Sequence, residues 1–146
     1  MDSEPPIHVL LVDDKPANLF VLEAILGGLG LHLVKAASGR EALRALMDQE
    51  FALVLTDVTM PDMNGFDLAA TLQQREKTRS TPFILVAATD LQEARRQHSG
   101  ATGAEDYLVK PIDPEILRSK VQVFAKLHRQ AIAIREQSIQ LVAANA

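Results

Sequence analysis

The chain has 146 residues, enough for one domain with a hydrophobic core. Its net charge of −4 argues against a nucleic-acid-binding surface, and its 47% hydrophobic residues are typical of an ordinary globular protein rather than a membrane protein. It contains no cysteine, which excludes disulfides, thiolate catalysis and zinc–thiolate sites and favours a reducing cytoplasm.

Short apolar segments alternate with helical patterns along the chain. Strands are predicted at 7–12, 31–36, 51–56, 82–88 and 105–109, where runs rich in branched residues occur. Helices are predicted from Ala17 to a stop at Gly27–Gly28 or Gly30, after the Ser38–Glu41 capping box, at 66–75, at 91–98 and from Pro114 to about residue 143. This alternation predicts an α/β fold, a doubly wound five-stranded parallel sheet with helices on both faces.

Charged residues follow three of the predicted strands. Asp13 and Asp14 end the first, Asp57 ends the third and Lys110 ends the fifth. A single aspartate at a strand end is usually a turn former or a helix cap, and a single lysine is usually a solvated surface charge. Ligands of doubly wound sheets, however, bind beyond the carboxyl ends of the strands. The convergence of these four side chains at that edge therefore predicts a site.

The three carboxylates of this group indicate a metal ion. Clustered carboxylates repel one another and raise one another's pKa, and a divalent cation relieves that repulsion. Oxygen ligands without a nearby histidine favour Mg²⁺ or Mn²⁺. With the metal bound, Asp57 keeps a free oxygen that can act as a nucleophile on phosphorus, and Lys110 suits a phosphoryl group.

The last predicted helix is about 30 residues long, more than one domain requires. Its second half carries a short apolar seam in which spacings of three and four residues alternate. The seam consists of Phe124, Leu127, Ala131, Ile134, Ser138 and Leu141, widened by Ile132, Ile139 and Val142. It is shorter than the roughly three to four heptads that make a coiled coil convincing.

Three motifs and their spacing resemble the receiver domain of response regulators in two-component phosphorelays. They are VDD at 12–14, DVTMPDMNGFD at 57–67 and GAEDYLVKP at 103–111. The resemblance implies a flavodoxin-like fold with strand order 2-1-3-4-5 and an extended C-terminal helix. It divides the chain into a flexible tail at 1–6, a receiver domain at 7–125 and, at 126–146, a helical extension, linker or dimerisation segment toward a possible output domain.

The same resemblance implies which residues hold the metal and the phosphoryl group. Asp57 looks like the phosphoacceptor. Asp13 and Asp14 look like the acidic pair that holds Mg²⁺, Asp14 more directly, and the backbone carbonyl of Thr59 looks like a further metal ligand. Lys110 would contact the phosphoryl group.

The end of the fourth strand departs from the family pattern. The family has Thr or Ser there, whereas this sequence has Ala87, and the next hydroxyl is that of Thr89. We expect either that Thr89 replaces the hydroxyl through a shifted loop or that switching is weak. Tyr107 sits where the family places its switch aromatic, and the Lys110–Pro111 peptide is expected to be cis.

The resemblance implies a cytoplasmic, bacterial signalling protein rather than a conventional enzyme. It would take a phosphoryl group from a histidine kinase or phosphotransfer protein onto Asp57, with self-catalysed phosphotransfer and slow autodephosphorylation at most. The signal would pass through its surface and its last helix. A covalently attached output domain and a homodimer through that helix are further expected partners; nucleic acid and membrane are not.

Three alternatives remain open. A pseudo-receiver would be an interaction module that no longer switches by phosphorylation, as Ala87 would allow. An aspartyl-phosphate phosphohydrolase is less favoured, because such enzymes carry an Asp-x-Asp motif on the first strand whereas Asp13 and Asp14 are adjacent. A flavin-binding module is disfavoured by the acidic edge, which would repel the flavin phosphate.

Overall fold

A computed structural model describes residues 6–88 and 106–144 of the chain. Within these ranges the strands are β1 (His8–Val12), β2 (His32–Ala36), β3 (Leu53–Asp57), β4 (Phe83–Ala87) and β5 (Asp106–Val109). The helices are α1 (Pro16–Leu26), α2 (Gly39–Asp48), α3 (Gly65–Gln74) and α4 (Pro114–Ala144). The helix predicted at 91–98 lies outside the described residues.

The five strands form one parallel sheet in the order β2-β1-β3-β4-β5. This confirms the predicted fold class and strand order. Val12 pairs with both Ala36 and Thr56, and Asp57 pairs with Val86, so the carboxyl ends of the inner strands lie level with one another. The register therefore brings the residues that follow these strands to one edge of the sheet.

The core lies on both faces of the sheet because the central strands are apolar throughout. Every residue of β3 and β4 is buried, as expected of strands covered on both sides. On one face, Leu46 of α2 and Leu68 of α3 belong to one hydrophobic cluster. On the other, Leu22 of α1 and Val121 of α4 belong to a second. Two layers of helices thus hold the sheet edge in place.

Two helices begin at side-chain caps, the first of them at the predicted Ser38–Glu41 box. The Ser38 hydroxyl accepts a hydrogen bond from the backbone N–H of Glu41 at 3.1 Å. The Glu41 carboxylate accepts from the N–H of Ala37, one residue before the Ser38 N–H of a standard capping box. At α4, the Asp113 carboxylate accepts from two N–H groups of the first turn, at 2.9 and 3.3 Å. Local sequence therefore sets both helix starts.

The last helix has 31 residues and extends beyond the part that packs on the sheet. Val121 and Ala125 are buried in its first half, and Ile132 still packs against the cluster formed by Ile7 and Ala52. From Ala133 to Val142, its apolar side chains are exposed. None of the helices in the described ranges is long and apolar enough to span a membrane.

Candidate functional site

Two aspartates are fixed at the ends of the adjacent strands β1 and β3. Asp13 directly follows β1, where its backbone N–H donates to the Ala36 carbonyl at 3.1 Å and its carboxylate accepts from the Lys15 N–H at 2.9 Å. Asp57 is the last residue of β3, and its carboxylate accepts from the Thr59 N–H at 3.4 Å. Both aspartates are buried, with 3% and 5% of their surface exposed.

Asp14 completes an acidic cluster with these two residues. Asp13, Asp14 and Asp57 each offer a carboxylate oxygen, and the three oxygens lie within 4.8 Å of one another. The Oδ1 atom of Asp14 is buried and finds no hydrogen-bond partner in the part of the chain that the structure describes. A buried carboxylate oxygen without a partner is costly. The residues present therefore fit a hard divalent cation.

Lys110 reaches the cluster from the end of β5. Its Nζ atom lies 3.6 Å from Asp57 Oδ2 and 4.0 Å from Asp13 Oδ2. Its backbone N–H donates to the Ala87 carbonyl at 2.9 Å, which anchors the end of β5 to β4. The Lys110–Pro111 peptide is cis, as expected. The structure thus brings together the three carboxylates and the lysine that the sequence placed at one edge.

The carboxyl group of Asp57 is electrostatically unusual. Burial raises its pKa, and the nearby charge of Asp13 raises it further. The ammonium group of Lys110 and the N–H of Thr59 act in the opposite direction without cancelling the rise. The carboxylate of Asp57 is therefore less favourable than that of a free aspartate, and added positive charge nearby would lower its pKa.

The loop after Asp57 is tightly constrained. The Val58 N–H donates to the Val86 carbonyl, and the Gly65 N–H donates to the Val58 carbonyl, both at 2.9 Å. A Cβ atom on Gly65 would lie 2.5 Å from the Asp57 carbonyl oxygen, so only glycine fits this approach. Asp62 adopts a positive φ of 67°. The loop therefore folds back onto the strand end that carries Asp57.

The start of α3 contains a capping box that the sequence reasoning missed. The Asn64 side chain accepts from the Asp67 N–H at 2.8 Å, and the Asp67 carboxylate accepts from the Asn64 N–H at 3.2 Å. The Asn-x-x-Asp spacing carries this signal, as an Asn/Asp variant of the usual Ser/Thr-x-x-Glu box. It begins the helix at Gly65, one residue before the predicted start, and closes the loop beside the site.

A cavity of about 270 Å³ opens beside the acidic cluster, between α1 and the segment from Lys110 to Ile112 that precedes α4. Asp57 and Lys110 lie on its wall together with Asn18, Val21 and Ile112, which sequence reasoning did not select. Asn18 could have been found from its place in the first turn of α1, four residues after Asp14. The site is thus a polar edge with an apolar recess next to it.

The remaining predicted residues lie around this centre. Thr59 is exposed in the loop after β3, two residues beyond Asp57. Ala87 is the buried last residue of β4. Tyr107 is half-buried on β5, opposite Leu85, and packs against the cluster under α2 and α3. The predicted role of Thr89 falls on a residue outside the described ranges.

A parallel sheet of this order, with an acidic cluster and a lysine at its carboxyl edge, defines a class of signalling domain. The sequence model of the response regulator receiver domain family matches residues 9–122. The chain belongs to this family, which makes it a receiver domain of two-component systems.

Curated relatives support the assignment. Protein PilH of Pseudomonas aeruginosa is 35% identical over 110 residues, covering 75% of this chain and 90% of that protein. The signal transduction histidine-protein kinase BarA of Shigella flexneri is 36% identical over 118 residues, covering 81% of this chain. The match spans only 13% of BarA, so this chain is similar to one part of a much larger protein.

Solved structures show the same fold. The receiver domain of sensor histidine kinase PA1611 from Pseudomonas aeruginosa has a TM-score of 0.75 at 30% identity, over 84% of this chain and 99% of that one. That structure has a magnesium ion coordinated in its active site cleft. The chemotaxis protein CheY4 of Vibrio cholerae has a TM-score of 0.74 at 31% identity, over 82% of this chain and 99% of that one.

Proposed function

We propose that this receiver domain accepts a phosphoryl group on Asp57, with Mg²⁺ bound, from a phosphohistidine of a partner histidine kinase or phosphotransfer protein. One observation carries the proposal. The buried Asp57 carboxylate lies 3.6 Å from the Lys110 ammonium group and within 4.8 Å of the carboxylates of Asp13 and Asp14. This arrangement provides a nucleophile, a cation for phosphoryl oxygens and a set of hard oxygen ligands.

Asp13, Asp14 and Asp57, with the backbone carbonyl of Thr59, would hold the metal. The buried, unpartnered Oδ1 atom of Asp14 supports this assignment. When bound, Mg²⁺ (or Mn²⁺) supplies positive charge that reduces repulsion between the carboxylates and the incoming phosphoryl group. The magnesium ion in the similar PA1611 receiver domain is consistent with this choice of cation.

Phosphoryl transfer then requires little of the protein beyond position and charge. An Asp57 carboxylate oxygen forms a bond to phosphorus while the phosphorus–nitrogen bond of the donor histidine breaks. The imidazole leaves with the electron pair of that bond. Lys110, whose Nζ already lies 3.6 Å from Asp57, stabilises charge on the transferred oxygens. The product is an acyl phosphate on Asp57, which the domain itself hydrolyses slowly.

The surface beside the site suits a protein donor. Phe20 and Val21 on α1 are 72% and 52% exposed. Val21 also lines the cavity that contains Asp57 and Lys110. Exposed apolar side chains next to a reactive group favour a docking surface. We assign this part of α1 to contact with the phosphohistidine donor.

The response to phosphorylation is expected to pass through Tyr107 and the last helix, with Thr89 supplying the hydroxyl that position 87 lacks. Residues 126–146 would link the receiver to an attached output domain or to a second copy of the chain, in the cytoplasm. One observation favours a second function, that of a pseudo-receiver. The methyl group of Ala87 occupies the buried end of β4, where the family has a hydroxyl.

Intact-protein mass spectrometry after incubation with acetyl phosphate tests the proposal. The wild-type chain should gain the mass of one phosphoryl group when Mg²⁺ is present and lose most of that gain when a chelator is added. Asp57→Asn should gain nothing, whereas Asp62→Asn, in the exposed loop beside the site, should react normally. A wild-type chain that gains no mass would support the pseudo-receiver instead.

A further inference from the structure

The last helix, α4, carries apolar side chains on two opposite faces. One face, with Val121 and Ala125, is buried against the sheet. A second set, formed by Val123, Leu127, Ile134 and Leu141, is exposed by 56%, 54%, 63% and 64%. At about 100° of rotation per residue, this exposed stripe lies about 150° around the helix from the buried face. Packing on its own domain therefore leaves the stripe uncovered.

We propose that the stripe pairs two copies of the chain as a parallel, in-register coiled coil. Leu127, Ile134 and Leu141 recur every seventh residue, and Ala131 and Ser138 lie four residues after the first two. A seven-residue repeat drifts by only about 20° per heptad around a straight helix, so over the two heptads from Leu127 to Leu141 one seam keeps facing a partner helix. A helix that merely lies on a globular surface needs no such repeat.

The structure shortens the seam that the sequence suggested. Phe124 and Ile132 are partly buried against this chain's own domain, so they are not free to face a partner. Leu127 remains exposed, and so do the seam residues after it. Ile139, predicted from the sequence to widen the seam, lies about 140° around the helix from Ile134 and so falls outside it. The pairing surface therefore consists of Leu127, Ala131, Ile134, Ser138 and Leu141, with Val123 at its edge.

The charges beside the seam favour an identical partner. In a coiled coil, the positions flanking the seam decide which helices pair. Here Gln130 and Gln137 on one side are neutral, and Arg135 on the other binds Glu50 of its own chain through two contacts of 3.0 Å. Two copies can therefore meet without repulsion between unpaired like charges. A strongly charged partner helix would find no complementary free charge at these flanks.

The same residues favour the parallel orientation. Parallel pairing places Arg135 of one copy beside the neutral Gln130 of the other. Antiparallel pairing centred on Ile134 would place the two Arg135 side chains on the same side of the seam, facing each other. Because the stripe faces away from the sheet, the two domains lie on the outside of a parallel pair. The pairing does not depend on phosphorylation of Asp57.

Light scattering of the purified full chain across a range of concentrations tests the pairing, without Mg²⁺ or a phosphoryl donor. The wild-type mass should rise toward twice the monomer mass. Ile134→Lys should raise the dimer dissociation constant at least about tenfold. Ile139→Lys is the matched control, because Ile139 is 69% exposed on the same helix but lies about 140° away from Ile134.

The orientation is tested by oxidation of single-cysteine variants, since the chain has no cysteine of its own. Ser138→Cys should form an interchain disulfide, because facing seam positions in parallel register fall within the range of about 4.4–6.8 Å between Cα atoms that a disulfide requires. Gln140→Cys, off the seam, should not. The proposal would be overturned if the wild type stayed monomeric or if the two lysine variants had equal effects. It would also be overturned if the Ser138→Cys chain did not cross-link.

Discussion

The pKa of Asp57 is subject to two opposing influences from its surroundings. It is buried beside a second carboxylate, which raises its pKa, and it lies near Lys110, which lowers it. The balance is a raised pKa, so the charged form of Asp57 is less favourable than that of a free aspartate. Positive charge placed nearby, such as a bound cation, would lower the pKa of Asp57 again.

Binding of Mg²⁺ should stabilise the fold through the acidic cluster. A ligand that binds only the folded state at ten times its dissociation constant contributes about 1.4 kcal/mol to the free energy of unfolding. Urea denaturation with and without Mg²⁺ measures this gain. Asp14→Asn should lose most of it, whereas Asp48→Asn, at the exposed end of α2, should retain it. An equal gain in both variants would place the ion elsewhere.

Gly65 should be intolerant of a side chain. Its added Cβ would lie 2.5 Å from the Asp57 carbonyl oxygen and 3.0 Å from the Val58 Cα, both backbone atoms that cannot rotate away. We expect Gly65→Ala to lower the free energy of unfolding by about 1–3 kcal/mol, the usual cost of overpacking. Phosphorylation of Asp57 should slow as well. An unchanged urea midpoint would show that the loop adapts without cost.

At the scale of whole elements, the strands fix the site and α4 extends from it. The acidic residues and Lys110 are held by strands buried on both faces or paired to such strands. In contrast, within the described residues, apolar packing holds α4 as far as Ile132, and the ion pair with Glu50 holds its second half at Arg135. The direction of its second half therefore depends on few contacts.

The ion pair between Glu50 and Arg135 should contribute little to stability. Both contacts measure 3.0 Å, yet the two side chains are 59% and 56% exposed. A double-mutant cycle with Glu50→Gln and Arg135→Gln should give a coupling energy of about 0.2–1 kcal/mol that decreases with added salt. The single-contact pair of Glu23 and Lys35 is the control and should couple less. A coupling well above this range would mean that the pair holds the helix rigidly.

For the whole molecule, the histidines at the amino-terminal edge of the sheet predict a pH dependence. Burial lowers the pKa of His8, and the neighbouring His32 and His128 lower it further. Burial also lowers the pKa of His128, partly offset by Glu50. The unfolded chain therefore binds more protons than the folded one as the pH falls through about 6.5. The free energy of unfolding therefore decreases as the pH falls below that value.

The corresponding measurement is urea denaturation at about pH 7.5 and at about pH 5.5, on either side of the usual histidine pKa. The wild type should lose stability at the lower pH. The double variant His8→Gln/His128→Gln should lose less, because its unfolded state has two fewer groups to protonate. An equal loss in the two proteins would assign the pH dependence to other groups.

The fold could be predicted from the sequence because the patterns that indicate strands and helices are local and recur along the chain. Branched apolar runs gave each strand to within one or two residues, and the residues that end them gave Asp13, Asp57 and Lys110. Asn18 was missed because its nearness to Asp57 depends on how α1 packs across the sheet. The sequence also could not show that Phe124 is unable to face a partner helix. Its spacing fits the seam, but tertiary packing half-buries it against its own domain.

Trapping the acyl phosphate shows whether Asp57 carries the phosphoryl group. The chain would be incubated with acetyl phosphate and Mg²⁺, reduced with borohydride and mapped by peptide mass spectrometry. Reduction converts a phosphorylated aspartate to homoserine and leaves free carboxylates unchanged. We expect homoserine at position 57, and only when Mg²⁺ is present. Homoserine at Asp13 or Asp14 instead, or at no position, would contradict it.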